Sequence, residues 1–269
     1  MKLNQKRIGL IGVGNMGTSI LEGLLLKHLV LPQQITVFDK LSEKVTDFSA
    51  KWAVSTADSL NEIVRKSEIL LIAIKPQDFQ SLAKEIGSEL NSAHVLISIL
   101  AGTSIEMIQK HMGHQLRIVR AMPNLGAKVC ESLTAITGTD EEALTISREM
   151  FSGCGSVIEL DEAQFDLITA LSGSGPAYFF LLMECIEAKA IEKGIPAEVA
   201  KKIATQTACG ASLLANQSKE RPGALREQVT SKGGTTQAAL ESLKEDHIYE
   251  VFSKAFDAAA QRSIDLRGG

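Results

Sequence analysis

Aromatic residues are scarce in this 269-residue sequence: nine Phe, two Tyr and one Trp amount to 4%. The hydrophobic share is nevertheless 45%. A core must therefore be filled by aliphatic side chains and Ala, and the composition excludes a disordered tail or a fibrous repeat. Cysteine is also sparse. Cys130, Cys154, Cys185 and Cys209 form no Cys-x-x-Cys pair, so neither a disulfide framework nor a zinc ribbon is expected, and most of the four thiols are expected to be buried and reduced. No cluster of Lys and Arg interrupts the mild net charge of −4, which argues against nucleic acid as a partner. His111 and His114 lack flanking ligands in a zinc pattern, so a surface turn is expected there and no metal site. No apolar run reads as the roughly 18 or more residues a bilayer span needs. The glycine-rich stretch after the basic start Met1–Arg7 does not read as a signal peptide. A cytoplasmic protein that spans no membrane is expected.

What is present changes character near residue 160. Before it, β-like runs alternate with helical stretches: 7–11, 35–38, 69–74, 95–99, 116–120, 133–136 and 156–160. Several are continuous Val, Ile and Leu runs, the pattern of strands buried on both faces. Strand–helix alternation predicts a mostly parallel sheet with right-handed crossovers. The last two runs lie close together, which predicts antiparallel pairing at that end. After residue 160 the β signal stops. Helices are expected over 177–193, from Pro196 through Leu214, over 236–244 and over 248–264, with a polar break at 217–223. The Pro196 helix presents small residues at helical spacing, which permits close helix approach. The fold class expected is an α/β Rossmann-like domain at 1–160 followed by an all-α domain at 161–269.

Gly12-Val13-Gly14-Asn15-Met16-Gly17 is a Gly-x-Gly-x-x-Gly. A plain glycine turn could carry the same letters. Here a predicted strand precedes it and a helical run, 18–27, follows, which is the context a dinucleotide fingerprint requires. Gly12 permits the turn, Gly14 lets the backbone approach a pyrophosphate, and Gly17 lets helix and strand pack. The helix start adds free N–H groups and a positive dipole end. Asp39 follows 22 residues beyond Gly17 at the end of the second strand, near the spacing of the acid that binds a ribose 2′-hydroxyl. This favours NADH. Lys40 beside it leaves NADPH open. The strand exits Ala73-Ile74-Lys75-Pro76, Ser98–Gly102 and Arg120-Ala121-Met122-Pro123-Asn124 should border the same crevice.

Two glycine-rich loops fall in the helical half. Leu171-Ser172-Gly173-Ser174-Gly175-Pro176-Ala177-Tyr178 precedes a helix, and Val229-Thr230-Ser231-Lys232-Gly233-Gly234-Thr235-Thr236 precedes another. Such loops often only connect helices. They also leave N–H groups able to hold an anion, and a helical domain facing a dinucleotide makes that role the favoured one.

Across essentially the whole chain, the segments 11–17, 73–77, 120–124, 171–178, 225–231 and 233–236 together resemble the pyrroline-5-carboxylate reductase family. The resemblance implies NADH- or NADPH-dependent reduction of a small anionic cyclic imine, 1-pyrroline-5-carboxylate, to L-proline. It implies a Rossmann-like domain joined to a dimerisation domain, hence a homodimer, and it allows a decameric ring of dimers. It implies that Ser174, Gly175, Ser231, Lys232, Gly233, Gly234 and Thr235 meet the substrate and that Thr236 places its hydroxyl near the ring nitrogen. Gly12, Gly14, Asn15, Met16, Gly17, Asp39, Lys40, Ser59, Ala73, Ile74, Lys75, Pro76, Met122, Pro123 and Asn124 are the implied cofactor contacts. The sequence departs from the family pattern at Lys232, where Pro is usual, at Leu125-Gly126, at Ser59 and at Asp39-Lys40. These departures keep a paralogue with a shifted substrate in view. A related imine or hydroxyacid dehydrogenase is a further alternative, though 172–178 lacks the Lys such enzymes use. A non-catalytic dinucleotide sensor would keep only the first glycine motif.

Overall fold

The computed structural model describes residues 3–113 and 116–266; His114, named above, lies outside them. The chain forms two compact units, one of residues 1–174 with 259–269 and the other of 175–258. The sequence-based boundary at 160/161 thus falls fourteen residues before the start of the second unit, and the C-terminal residues belong with the first.

The first unit is built on one eight-stranded sheet in the order β3-β2-β1-β4-β5-β6-β7-β8. Its elements run β1 (Ile8–Ile11), α1 (Asn15–Leu26), β2 (Ile35–Phe38), α2 (Ser42–Trp52), β3 (Ser55–Thr56), α3 (Leu60–Lys66), β4 (Ile69–Ile72), α4 (Phe79–Ile86), β5 (Val95–Ser98), α5 (Ile105–Met112), β6 (Arg117–Met122), β7 (Ser132–Gly138), α6 (Glu141–Ser152), β8 (Gly155–Glu159) and α7 (Phe165–Ile168). β1, β4 and β5 are buried at every position, as their unbroken aliphatic runs require of strands covered on both faces. Two aliphatic cores result. One packs Leu10, Ile20, Leu24 and Phe151 on one side, and the other packs Ile63, Leu70, Ile86 and Ile108 on the opposite side. The helices carry their own stops and starts: Ser59, Ser104 and Asp140 each accept a hydrogen bond from a first-turn N–H.

The antiparallel pairing is displaced from its expected place. It joins β6 to β7, whereas the last pair, β7 and β8, is parallel. The reason is connection length. Only a short 3-10 turn, Leu125–Val129, lies between β6 and β7, and a parallel crossover needs roughly a dozen residues or more. α6 supplies that crossover between β7 and β8. β3, two exposed residues at the sheet edge, carried no sequence signal.

The second unit is helical: α8 (Gly175–Glu192), α9 (Ala197–Gln217), α10 (Pro222–Gln228), α11 (Thr235–Glu245) and most of α12 (Ile248–Asp265). The expected break at 217–223 is shorter than foreseen, because Pro222 opens α10. Within this unit Tyr178 and Phe256 approach at 5.3 Å between ring centres, and Phe252 stacks on Phe256 at 5.8 Å. Much of its apolar surface is uncovered in the single chain: Phe179, Phe180, Leu181 and Leu182 are each more than half exposed. The expectation that most thiols are buried is corrected. Only Cys154 is buried; Cys130 is half-buried, and Cys185 on α8 and Cys209 on α9 are exposed, because these helices have few neighbours within the chain. The expectation of no long apolar run is corrected as well. Glu162–Glu192 is one helical stretch of 31 residues that contains an 18-residue window of mean hydropathy 1.2, long and apolar enough to cross a membrane by length and composition. The Ser172–Pro176 stretch of small residues and proline had hidden it from a search for uninterrupted apolar residues.

Candidate functional site

The glycine loop sits at the carboxyl end of β1, between β2 and β4. Gly12 adopts φ +104°, and a Cβ there would lie 2.6 Å from the Ala73 carbonyl oxygen. Only glycine tolerates both the angle and the approach. Gly17 is held as tightly: a Cβ would meet the Gly12 oxygen at 2.7 Å and Leu10 Cδ1 at 2.9 Å. Gly14 differs. It is the N-cap of α1 in extended conformation, no side chain caps the helix there, and among the described residues nothing beyond its chain neighbours lies within 4 Å of where its Cβ would be. The first N–H groups of a 12-residue helix therefore face open space. A pyrophosphate, which needs donors and close backbone approach, fits this cradle.

Beside the loop lies a cavity of about 400 Å³ lined by Gly12, Gly14, Asp39, Lys40, Ala73, Ile74 and Lys75 among others. Asp39 is fixed from both sides. Its Oδ2 accepts from the Val13 N–H at 2.8 Å and its Oδ1 from the Leu41 N–H at 2.9 Å. The carboxylate thus ties the glycine loop to the end of β2. It keeps lone pairs for hydroxyl donors and carries its negative charge into the cavity. Lys40, exposed, pairs with Asp78 at 3.3 Å. Asn15 is exposed, Met16 and Pro76 half-buried. Ser59 does not line this cavity. Its hydroxyl accepts from the Glu62 N–H at 3.2 Å and caps α3.

The exit of β6 is a second fixed corner. Met122 and Pro123 are buried. Asn124 donates to the Ser172 hydroxyl at 3.1 Å, accepts from the Gly126 N–H at 2.9 Å, and its own N–H donates to Ser132 at 3.0 Å. The segment read as a flexible glycine loop is in fact wound: Thr169–Gly173 is a π-helical turn, with the Ser174 N–H reaching the Thr169 carbonyl at 2.8 Å. Such turns recur at functional sites. No residue pattern announces one, because a π-turn and a loop use the same small residues.

Sequence reasoning also missed the group behind this corner. Arg120, named only as part of a strand exit, is fully buried. It donates to Glu162 at 3.1 Å and lies 4.8 Å from the Phe165 ring centre. The same Glu162 oxygen accepts from the Ile105 N–H at 2.8 Å. Next to it, buried Asp166 accepts from Ser263 at 2.9 Å. A charge inside a hydrophobic strand was the available signal.

In the second unit, Ser231–Thr236 forms the turn that starts α11. Gly233 has φ +72°, Gly234 is the N-cap with no side-chain cap, and its N–H donates to the Ser231 carbonyl at 3.0 Å. The Gly233 N–H donates to Gln237 at 2.7 Å. Ser231, Lys232 and Thr235 are exposed and Thr236 is half-buried at the first turn. Gly175, buried, begins α8, and Ser174 ends the π-turn before it. Among the described residues no group of three or more His, Cys, Asp or Glu could hold a metal.

Residues 162–266 match the family model for pyrroline-5-carboxylate reductase dimerisation, and 7–102 match that for NADP oxidoreductase, coenzyme F420-dependent. A pyrroline-5-carboxylate reductase of Methanosarcina acetivorans is 33% identical over 98% of this chain and 99% of its own. The chain belongs to the pyrroline-5-carboxylate reductase family. The Arabidopsis thaliana reductase is also 33% identical, over 97% of this chain and 95% of its own. Among solved structures, the Coxiella burnetii reductase superposes with TM-score 0.90 at 32% identity, covering 98% of this chain and 99% of that one. The Plasmodium falciparum enzyme, solved with NADP bound, gives 0.89 at 25% identity, covering 98% and 99%. The fold class expected from sequence, a mostly parallel Rossmann-like domain with a helical C-terminal half, is the one these relatives share.

Proposed function

We propose that the chain reduces 1-pyrroline-5-carboxylate to L-proline with a reduced nicotinamide dinucleotide. The observation that carries this reading is kinship over the whole length, 33% identity across 98% of the chain, coupled with the open Gly14 cradle. When bound, the dinucleotide supplies the hydride. The chain's own residues place the reactants. Gly12, Gly14 and Gly17 let the backbone donate to the pyrophosphate, and Asp39 receives ribose hydroxyls. The turn 231–236 anchors the substrate carboxylate through N–H groups and the Ser231 hydroxyl, which fixes orientation. Lys232 adds a cation beside that anion. The Thr236 hydroxyl, or a water it orients, serves the imine nitrogen; with a proton on that nitrogen, the imine carbon accepts hydride more readily. The carboxylate at Asp39 favours NADH over NADPH, since a 2′-phosphate would meet like charge.

The same reading makes the working form a homodimer in the cytoplasm. The exposed Phe179–Leu182 stretch of α8 supports it, as an apolar face that a partner would cover. A decameric ring of dimers is the larger assembly to look for by mass measurement. Following loss of NADH and NADPH absorbance in parallel with 1-pyrroline-5-carboxylate tests the activity. Decay is expected with NADH fastest; no decay with either cofactor would overturn the reading. Thr236→Ala should lower kcat at least tenfold, the scale of positioned proton-transfer catalysis. Wild-type turnover in that variant would remove Thr236 from the mechanism.

A further inference from the structure

The cavity beside the glycine loop carries opposed charges. Lys40, Lys44 and Lys75 line it together with Asp39, Asp78 and Glu85. Three cations and three anions leave no net charge on the lining. The position of Asp78 is the informative one. It lies where the 3-10 turn Pro76–Asp78 runs into α4, and its side chain makes no capping hydrogen bond there. Its carboxylate instead reaches across to Lys40, 38 residues earlier in the chain, at 3.3 Å. Lys40 follows Asp39 directly at the end of β2.

We infer that Asp78 is a specificity-determining residue: by holding Lys40 it withdraws the cation that directly follows Asp39, and so directs the chain to NADH. The inference rests on the dinucleotide reading above. A ribose 2′-hydroxyl needs only an acceptor, and Asp39 supplies it. A 2′-phosphate brings a charge near −2, needs a cation, and meets two carboxylates. To engage Lys40 it must first displace Asp78. Both partners are largely solvated, with side chains 68% and 41% exposed. Such pairs are weak, so the discrimination they add is several-fold and reversible by one substitution.

The test is calorimetric titration of the full chain with NADH and with NADPH. Asp78→Asn keeps the side-chain shape and removes the charge. It should tighten NADPH binding about threefold to tenfold, a magnitude set by one screened charge near a dianion, and leave NADH within about twofold, since a hydroxyl carries no charge to repel. Lys40→Ala introduced into Asp78→Asn should remove most of the gain, because the released lysine is its larger source and the lost repulsion of one carboxylate the smaller. An unchanged NADPH-to-NADH ratio in Asp78→Asn, or a gain undiminished by loss of Lys40, would overturn the inference while leaving the dinucleotide site intact. Failure of the wild-type chain to bind either dinucleotide would overturn both.

Discussion

Replacing Gly14 by alanine adds one methyl group at the N-cap of α1, where the backbone is extended (φ −94°, ψ 177°) and, among the described residues, nothing beyond its chain neighbours lies within 4 Å of the new carbon. The effect on folding is a near-cancellation. Alanine at a compatible position stabilises by about 0.4–1 kcal/mol through the unfolded chain. Alanine is a poorer N-cap than glycine by a similar amount, roughly 0.5–1 kcal/mol. The melting temperature should stay within about 4 °C of wild type, given the scale for a domain of this size. Binding is a different matter, because the methyl occupies the space through which the α1 N–H groups must meet a phosphate. Loss of one charge-assisted hydrogen bond, about 1.5–3 kcal/mol, weakens the dinucleotide roughly tenfold to hundredfold. Gly17→Ala is the contrasting control. Its methyl would lie 2.7 Å from the Gly12 oxygen, and overpacking of that kind costs about 1–3 kcal/mol. Thermal unfolding by circular dichroism and titration with NADH read the two effects separately. A Gly14→Ala protein that binds NADH as wild type does would refute the assignment of this loop as the phosphate cradle. One that melts far below wild type would refute the claim that Gly14 is free of folding duties.

Three further outcomes follow from local chemistry. Arg120→Ala removes a fully buried cation from Glu162 and Phe165; a cost of about 3 kcal/mol should lower Tm by about 6–12 °C, and an unshifted melt would contradict it. Asp140 caps α6 through the Ala143 N–H and pairs with Arg117, which together hold its carboxyl below the usual carboxylate range. A depressed folded value means its stabilisation is present above the unfolded value near 4 and is lost as pH falls through the folded one. Asp140→Ala should therefore lose about 1 kcal/mol at neutral pH, and the gap to wild type should shrink below about pH 4; a gap constant with pH would exclude the linkage. Burial first, and Cys130 second, push the Cys154 thiol up to about 12. It should resist alkylation at pH 8 until the protein unfolds, since the thiolate is the nucleophile, and mass mapping that finds it labelled as fast as Cys130 would contradict this.

The strands that the sequence made legible are those buried on both faces, β1, β4 and β5, where continuous aliphatic runs leave no other reading. The glycine fingerprint was equally legible, because Gly12 and Gly17 are positions where a Cβ has no room. What escaped was set by distant partners. Whether β8 pairs parallel with β7 depends on which intervening segment becomes a crossover helix. Thr169–Gly173 winds as a π-turn beside Asn124, which bonds Ser172 from 48 residues away. α10 was masked by its polar residues, and α8 shows its exposed apolar face only once its neighbours are seen to leave Phe179–Leu182 uncovered.

By itself the sequence determined the succession of strands and helices, the turn at Gly12, and the glycine-rich segments of the second half. These are local: they rest on periodicity, on φ angles and on the space one residue needs. Only the tertiary structure decided that Ser59 is committed to capping α3, that Arg120 is buried against Glu162, and that Asp39 is clamped by the Val13 and Leu41 N–H groups. It also decided that Asp78 reaches Lys40. Charge and hydrogen-bonding capacity are properties of a residue, but which partner absorbs them is a property of the fold: Glu162, Val13 and Asp78 lie 42, 26 and 38 residues from the groups they meet.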